Sequence, residues 1–136
     1  MIFLIRGLPG SGKSTAARRI AENWGCLHLE ADMFFTRGGV YNFNRTRIKE
    51  AHSWCLETYR GAVLRGMDVV VSNTFCQAWE IAPYLQIAAE FRQDWKIYVC
   101  KRNGDSVHHI PEEAINRMKE RWQDLSVPEE LWTNWL

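Results

Sequence analysis

The feature that most constrains this chain is a glycine-rich motif directly behind a short apolar segment. Residues 7–14 read Gly-Leu-Pro-Gly-Ser-Gly-Lys-Ser and match G-x-x-x-x-G-K-[ST] at every fixed position. An apolar run at residues 2–6 precedes the motif, and a helical pattern at residues 13–23 follows it. This order predicts a buried strand, a tight loop and a helix whose N-terminus can bind an anion.

Each residue type in the motif has a mechanical reason. Gly10 and Gly12 let backbone N–H groups approach phosphate oxygens, because glycine has no Cβ and adopts left-handed conformations at little cost. Lys13 is placed to reach the β- and γ-phosphates, and the Ser14 hydroxyl is a ligand for Mg²⁺. The motif therefore predicts binding of a nucleotide, which we expect to be ATP with Mg²⁺. The predicted nucleotide-binding residues of the loop are Gly7, Pro9, Gly10, Ser11, Gly12, Lys13, Ser14 and Thr15.

The pattern of apolar residues predicts an α/β fold. Non-alternating apolar runs, which suit strands covered on both faces, occur at residues 2–6, 26–30, 68–72 and 95–100. Helical periodicity occurs between and after them, at residues 13–23, 47–64, 79–91 and 111–124. Alternating strands and helices predict a P-loop NTPase fold: a doubly wound parallel sheet of about four strands with helices on both faces and a short lid.

Length and composition indicate one domain over residues 1–136, with a core at about 1–123 and a tryptophan-rich tail at about 124–136. The formal net charge of +1 provides no long-range attraction for nucleic acid, which would need a local basic patch. No apolar run approaches the ~20 residues of a membrane span. The cysteines form no CxxC pair, so we expect reduced thiols in a cytoplasmic protein without a zinc site. They are Cys26, Cys55, Cys76 and Cys100.

Asp32 is the candidate catalytic base. It follows the second predicted strand, and the carboxyl ends of parallel strands line the crevice where ligands bind. A carboxylate there can accept the proton of an attacking hydroxyl or bind Mg²⁺, so the candidate metal residues are Ser14 and Asp32. The alternative is that Asp32 only caps the next turn. Glu30 is the nearer rival, but strand alternation is expected to point it away from the side of Asp32.

The end of the third predicted strand lacks the expected acid. P-loop NTPases typically place Asp or Glu there to anchor the water shell of the metal. This chain has Ser72, Asn73 and Thr74, which form hydrogen bonds but carry no charge, or only shape the turn. The missing acid argues against a motor or switch ATPase.

A polar segment from Lys101 to Ile110 is the candidate lid over a bound nucleotide. Arg102 is the candidate cation for the charge that develops on the transferred phosphoryl group, although ordinary solvent exposure is the alternative. His108 and His109 are adjacent and therefore do not suit a metal pair, whereas one of them could contact phosphate.

Two further segments have open interpretations. The tail residues Trp132 and Trp135 either pack back on the domain, which we favour, or form a docking surface. The segment after Asp32 interleaves cations with aromatic rings, a composition that either stacks bases or fills a packed loop. Its cations and rings are Phe34, Phe35, Arg37, Tyr41, Phe43, Arg45, Arg47 and Lys49.

Together these residues resemble the polynucleotide-kinase-like P-loop proteins, a family that includes the kinase domain of phage polynucleotide kinase. The resemblance covers residues 1 to about 123 and excludes the tail. It is carried by segments whose order and spacing agree with the family. They are residues 7–15, 31–35, 51–54, 72–74, 101–103 and 110–111, with Met118.

The resemblance implies a four-stranded sheet and transfer of the ATP γ-phosphate to a 5′-hydroxyl. It implies that Asp32 is the general base, that Arg102 is a lid arginine on the nucleotide and that Ile110 packs on adenine. The family's arginine for the acceptor phosphate is replaced by Phe35 here, so a nucleoside, a small metabolite or a modified RNA end stays open as acceptor. We therefore expect a kinase with Lys13, Asp32 and Arg102 as catalytic residues. The alternatives are an ATP hydrolase and a non-catalytic nucleotide-binding adaptor.

Overall fold

The computed structural model describes residues 1–36, 38–102 and 110–135. Within these ranges five strands form one sheet in the order β2-β3-β1-β4-β5, and every pair of neighbours is parallel. The order places β1 at the centre, so the loop that follows β1 emerges midway along the end of the sheet where the strands have their carboxyl ends. The strands are β1 Ile2–Arg6, β2 Leu27–Leu29, β3 Val69–Ser72, β4 Trp95–Val99 and β5 Glu130–Leu131.

Helices cover both faces of the sheet. Consecutive residues of β1 alternate between two cores: Ile2 and Leu4 belong to one cluster of buried side chains, and Phe3 and Ile5 belong to another. This alternation confirms the doubly wound α/β fold. The helices are α1 Lys13–Trp24, α2 Ile48–Leu64, α3 Ala78–Glu90 and α4 Glu112–Arg121, with 3₁₀ helices at Ala31–Thr36 and Arg45–Arg47. None of the helices in the described ranges is long and apolar enough to span a bilayer.

The fifth strand corrects the expected strand number of about four. It comes from the tail, where Glu130 and Leu131 pair with Tyr98 and Val99 of β4. Both residues of β5 are exposed, so they form no apolar run that a sequence pattern could detect. Directly after β5, Trp132 is buried with its ring centroid 5.1 Å from that of Tyr98. The tail therefore contributes to both the sheet and the core.

Arg6, the last residue of β1, is a fully buried cation that fastens the tail to the sheet. Its guanidinium donates to the carbonyl oxygens of Phe75 and Gln123, each at 2.8 Å, and to Glu129 at 3.1 Å. It also lies 3.9 Å from the ring centroid of Trp122. Burial lowers the pKa of Arg6, and Glu129 opposes that effect. A buried charge is tolerated because its donors are satisfied in this way.

The parallel sheet brings the ends of four strands to one edge. The glycine loop follows β1, the segment with Glu30 and Asp32 follows β2, and Asn73 follows β3. Arg102 comes three residues after the last residue of β4. These candidate residues thus come from segments that leave the sheet at the same end.

Candidate nucleotide site

The glycine loop has a backbone that only glycine adopts readily. Gly10 and Gly12 have φ angles of 80° and 91°, in the left-handed region. Gly12 is the N-cap of α1, so the loop amides and the positive end of the helix face the same space. A Cβ on Gly12 would lie 2.6 Å from Cζ3 of Trp135, which shows how closely the tail covers this residue. Ser11 Oγ is buried and has no hydrogen-bond partner in the described part of the chain.

The Lys13 side chain lies along the loop. Its Nζ donates to the carbonyl oxygen of Leu8 at 3.0 Å, which spans the loop from end to end. Burial lowers the pKa of Lys13, and the nearby Glu30 carboxylate partly offsets this shift. The ammonium is therefore held at the mouth of the anion-binding loop, where an incoming phosphate can replace the carbonyl as its partner.

A carboxylate stands directly beside Ser14, and it belongs to Glu30. Ser14 Oγ donates to Glu30 Oε1 at 2.6 Å, and Ser72 Oγ donates to the same oxygen at 2.7 Å. His28 Nε2 lies 3.1 Å from this oxygen and 3.1 Å from Ser72 Oγ. These four residues join the ends of β2 and β3 to the first turn of α1. We call them the acidic side of the site.

The acidic side keeps Glu30 ionised. Burial by itself would raise the pKa of Glu30, but the interactions with His28, Ser14 and Ser72 outweigh burial and lower the pKa to about 2. An ionised carboxylate and a hydroxyl are hard oxygen groups of the kind that Mg²⁺ prefers, and Mg²⁺ usually binds through one or two carboxylates together with phosphates and water. The residues at this position therefore fit a nucleotide-bound Mg²⁺.

Asp32 lies in the first turn of the 3₁₀ helix that follows β2. Asn73 fixes the start of this helix, because its Oδ1 accepts a hydrogen bond from the Ala31 backbone at 2.9 Å. Asp32 Oδ1 accepts a hydrogen bond from the Tyr41 hydroxyl at 3.1 Å. Asn73 thus shapes the turn that carries Asp32, while Ser14 has its carboxylate partner in Glu30.

An open cavity of about 450 Å³ is lined by Tyr41, whose hydroxyl donates to Asp32. Asp32 itself does not line this cavity. Arg47 also lines it, with its guanidinium 4.8 Å from the ring centroid of Phe34 and Nη2 2.9 Å from Glu50. Arg37, which the sequence placed in this basic stretch, lies outside the described residues. The lining residues are Phe34, Phe35, Gly38, Val40, Tyr41, Asn42 and Arg47.

On the other side of the loop, aromatic and cationic groups from distant parts of the chain meet. The Arg102 guanidinium lies 5.2 Å from the ring centroid of Trp135. Arg19 of α1 donates to the Trp135 carbonyl oxygen at 3.4 Å, and the indole lies against Gly12. We call Gly12, Arg19, Arg102 and Trp135 the aromatic side of the site.

A second cavity, of about 580 Å³, opens between the loop, the end of β4 and α4. Pro9, Gly10 and Ser11 line it together with Arg102. Most of the candidate lid, residues 103–109 with both histidines, lies outside the described residues. Ile110, which follows, is half-buried.

Sequence reasoning missed two members of this site. It set Glu30 aside on strand alternation, although alternation places residues two apart, such as 30 and 32, on the same face. An acid at the end of β2 beside an uncharged end of β3 was also a usable signal. It placed Trp135 in a tail outside the core, and no local pattern signals its contact with Gly12. Lys13 and Ser14 are the first residues of α1, directly after the loop, and Asp32 lies in the 3₁₀ helix that follows β2. Arg102 lies on the aromatic side.

Comparison with known proteins adds a family and a fold. A family model described as an AAA domain matches residues 2–103. Human NEDD4-binding protein 2 is 34% identical over 140 residues, which cover 94% of this chain. The chain spans only 8% of the length of that relative.

Solved structures share the fold. Kti12 from Chaetomium thermophilum, solved in complex with ADP-AlF3, has a TM-score of 0.68 at 16% identity, covering 98% of this chain and 89% of that one. A sugar kinase from Janibacter sp. HTCC2649 has a TM-score of 0.64 at 15% identity, covering 96% and 82%. At these identities the likeness establishes a common fold with P-loop kinases.

Proposed function

The chain belongs to the AAA domain family, and from that membership and the geometry of its phosphate loop we propose that it transfers the γ-phosphoryl group of ATP to a hydroxyl acceptor. The loop amides and the Lys13 ammonium bind the β- and γ-phosphates. Ser14 holds the Mg²⁺ ion, which when bound neutralises charge on the phosphates. Fold-sharing kinases and a nucleotide-bound neighbour support this class of reaction.

Asp32 activates the acceptor. It accepts the hydroxyl proton while the acceptor oxygen forms a bond to the γ-phosphorus. The bond between the γ-phosphorus and the β–γ bridging oxygen breaks, and ADP leaves. Arg102, from the end of β4, neutralises charge that develops on the transferred group. Its place among the residues that line the cavity beside the loop supports this assignment.

One observation favours a kinase over a hydrolase. Asp32 follows β2, at the end of the sheet where the phosphate loop follows β1, and its hydrogen-bond partner Tyr41 lines an open cavity. A hydrolase needs room only for water, whereas this cavity of about 450 Å³ has room for an acceptor molecule. Its aromatic lining with Arg47 suits a planar, anionic acceptor such as a nucleotide or a polynucleotide 5′ end.

The finer assignment, a polynucleotide 5′-hydroxyl, rests on the resemblance to polynucleotide-kinase-like proteins. Phe35 lines the acceptor cavity in place of the arginine that this family uses for the acceptor phosphate. If the acceptor is a polynucleotide, another cation must hold its phosphate. Arg47 is the cation that lines the same cavity. The acceptor panel of the experiment therefore includes nucleosides and small polyols beside oligonucleotides.

Transfer of label from γ-³²P-ATP to this panel tests the proposal. We expect a labelled acceptor, and we expect Asp32→Asn to reduce the transfer rate by about 10²–10⁴-fold while ATP binding is retained. Asp94→Asn is the matched control, because Asp94 immediately precedes β4 at the opposite edge of the sheet. Release of free phosphate alone indicates a hydrolase, and wild-type transfer by Asp32→Asn removes the base from the mechanism.

A further inference from the structure

We propose that Glu30 anchors the water shell of the nucleotide-bound metal ion, in the role that the uncharged end of β3 leaves vacant. The inference deepens the proposed function and rests on it, because it concerns the metal that accompanies ATP at Ser14. It concerns a residue two positions before the candidate base. Three features of the described structure carry it: the contacts of one carboxylate oxygen, the register of two strands and the remaining lone pairs of Ser14.

The first feature is the position of Glu30 Oε1. It accepts hydrogen bonds from Ser14 at 2.6 Å and from Ser72 at 2.7 Å. The carboxylate therefore touches both the loop serine that would ligate the metal and the residue at the end of β3. Charge-assisted hydrogen bonds of this length are strong. They hold the carboxylate in place before any metal arrives.

The second feature is strand register. β2 and β3 are parallel neighbours, with Leu29 opposite Val71, so Glu30 follows β2 at the level where Ser72 ends β3. The negative charge that β3 lacks is thus supplied one strand over, at the same level of the sheet. Ser72 is 2% exposed, and its hydroxyl donates to the Glu30 carboxylate.

The third feature is the hydrogen-bonding capacity of the Ser14 hydroxyl. A serine hydroxyl has one proton to donate and two lone pairs to offer. In this structure the proton goes to Glu30. The lone pairs of Ser14 Oγ remain for a cation, and the negative charge of the adjacent Glu30 carboxylate makes Ser14 Oγ a better metal ligand. Carboxylates that hydrogen-bond to a metal ligand and orient it in this way typically contribute 10–100-fold to metal affinity.

The two carboxylates at the end of β2 then have separate tasks. Glu30 lies within hydrogen-bond distance of the loop serine, and Asp32 lies in the next turn with Tyr41 of the acceptor cavity. One carboxylate serves the metal and the other serves the acceptor. This division moves to Glu30 the metal-binding role that was predicted for Asp32 from the sequence.

Calorimetric titration with ATP, in Mg²⁺ and in EDTA, tests the inference on Glu30→Gln. With Mg²⁺ we expect the variant to bind ATP about 10–100-fold more weakly than wild type. In EDTA we expect equal or tighter binding, because a negative charge near the phosphates has been removed. A purely structural role of Glu30 would weaken binding under both conditions, and that result would overturn the inference. Glu22→Gln, on the exposed surface of α1, is the matched control.

A double variant returns the charge to β3. We expect Glu30→Gln with Ser72→Asp to recover much of the magnesium dependence, since Ser72 Oγ lies 2.7 Å from the original carboxylate. Failure to recover in a folded double variant would indicate that Glu30 only locks Ser14, and would also overturn the inference. The double variant supplies the test if Glu30→Gln alone does not fold. Absence of ATP binding by wild type would instead contradict the proposed function, and ATP binding without label transfer would contradict only the kinase activity.

Discussion

The two sides of the phosphate loop are built in different ways. The acidic side joins Ser14, His28, Glu30 and Ser72 by contacts of 2.6–3.1 Å between neighbouring strand ends and the start of α1. The aromatic side joins residues far apart in sequence, and Arg102 stands 5.2 Å from the Trp135 ring centroid. Strand register fixes the first side, whereas the second depends on where the tail is fastened.

This difference implies that the two sides can be disturbed separately. The acidic side needs β2 and β3, both of which lie on the far side of β1 from the tail. The aromatic side needs β5, Trp132 and the Arg6 contacts that hold residues 122–129 against the sheet. Damage to the tail should therefore alter the environment of Gly12 and leave the hydrogen bonds of Glu30 in place.

The largest effect on stability is expected from Arg6→Met. The substitution leaves Glu129 without its cation and the backbone carbonyls of Phe75, Cys76 and Gln123 without their donor. Breaking one partner of a buried ion pair costs about 3–5 kcal/mol of the free energy of unfolding. Arg60→Met is the matched control, because Arg60 pairs with Glu90 on the exposed surface at 3.4 Å and should cost about 0–1 kcal/mol. Urea denaturation of both variants measures the difference, and equal losses would contradict the role of Arg6.

The sequence predicted most of the fold because its main elements are locally encoded. β1, the loop and α1 follow from one apolar run and one motif, and the observed α1 ends at Trp24, one residue beyond the prediction. Strand β5 was missed because two exposed residues form no pattern. They form a strand only because Arg6, Trp122 and Trp132 hold the tail beside β4.

The sequence predicted less of the site, and Glu30 shows why. Alternation of side chains applies only while the backbone is extended. The strand β2 ends at Leu29, and a 3₁₀ helix begins at Ala31, so Glu30 lies in the junction between them. Its direction is set by Ser14 and Ser72 instead of by strand alternation. The direction of its side chain is visible only in the three-dimensional structure, whereas the uncharged end of β3 was the sequence signal that pointed to an acid nearby.

A smaller effect on stability is expected from Gly12→Ala, and Gly25→Ala isolates its cause. Both glycines have left-handed backbones, with φ of 91° and 69°, and in such a conformation a Cβ costs about 1–2 kcal/mol. A Cβ on Gly25 meets nothing within 4 Å, whereas one on Gly12 meets Trp135 at 2.6 Å. Gly12→Ala should therefore be the more destabilising of the two in urea denaturation. In a Trp135→Ala background the two glycine substitutions should cost the same, and a difference that persists there would show that Trp135 is not its cause.

The smallest effect on stability is expected from Trp135→Ala alone. This variant tests whether the acidic side and the aromatic side of the site are independent of each other. The variant loses the contact between the half-buried indole and the Arg102 guanidinium, worth about 0.5–1 kcal/mol, and part of the indole's packing against the neighbouring core cluster. Trp79→Ala is the matched control for removing an indole, because Trp79 lies on α3 and is 71% exposed. Because the acidic side makes no use of the tail, Trp135→Ala should keep the wild-type ratio of ATP affinities in Mg²⁺ and in EDTA, the ratio that Glu30→Gln is expected to change. If Trp135→Ala changes this ratio as strongly as Glu30→Gln does, the two sides are coupled through the loop and the division drawn between them is wrong.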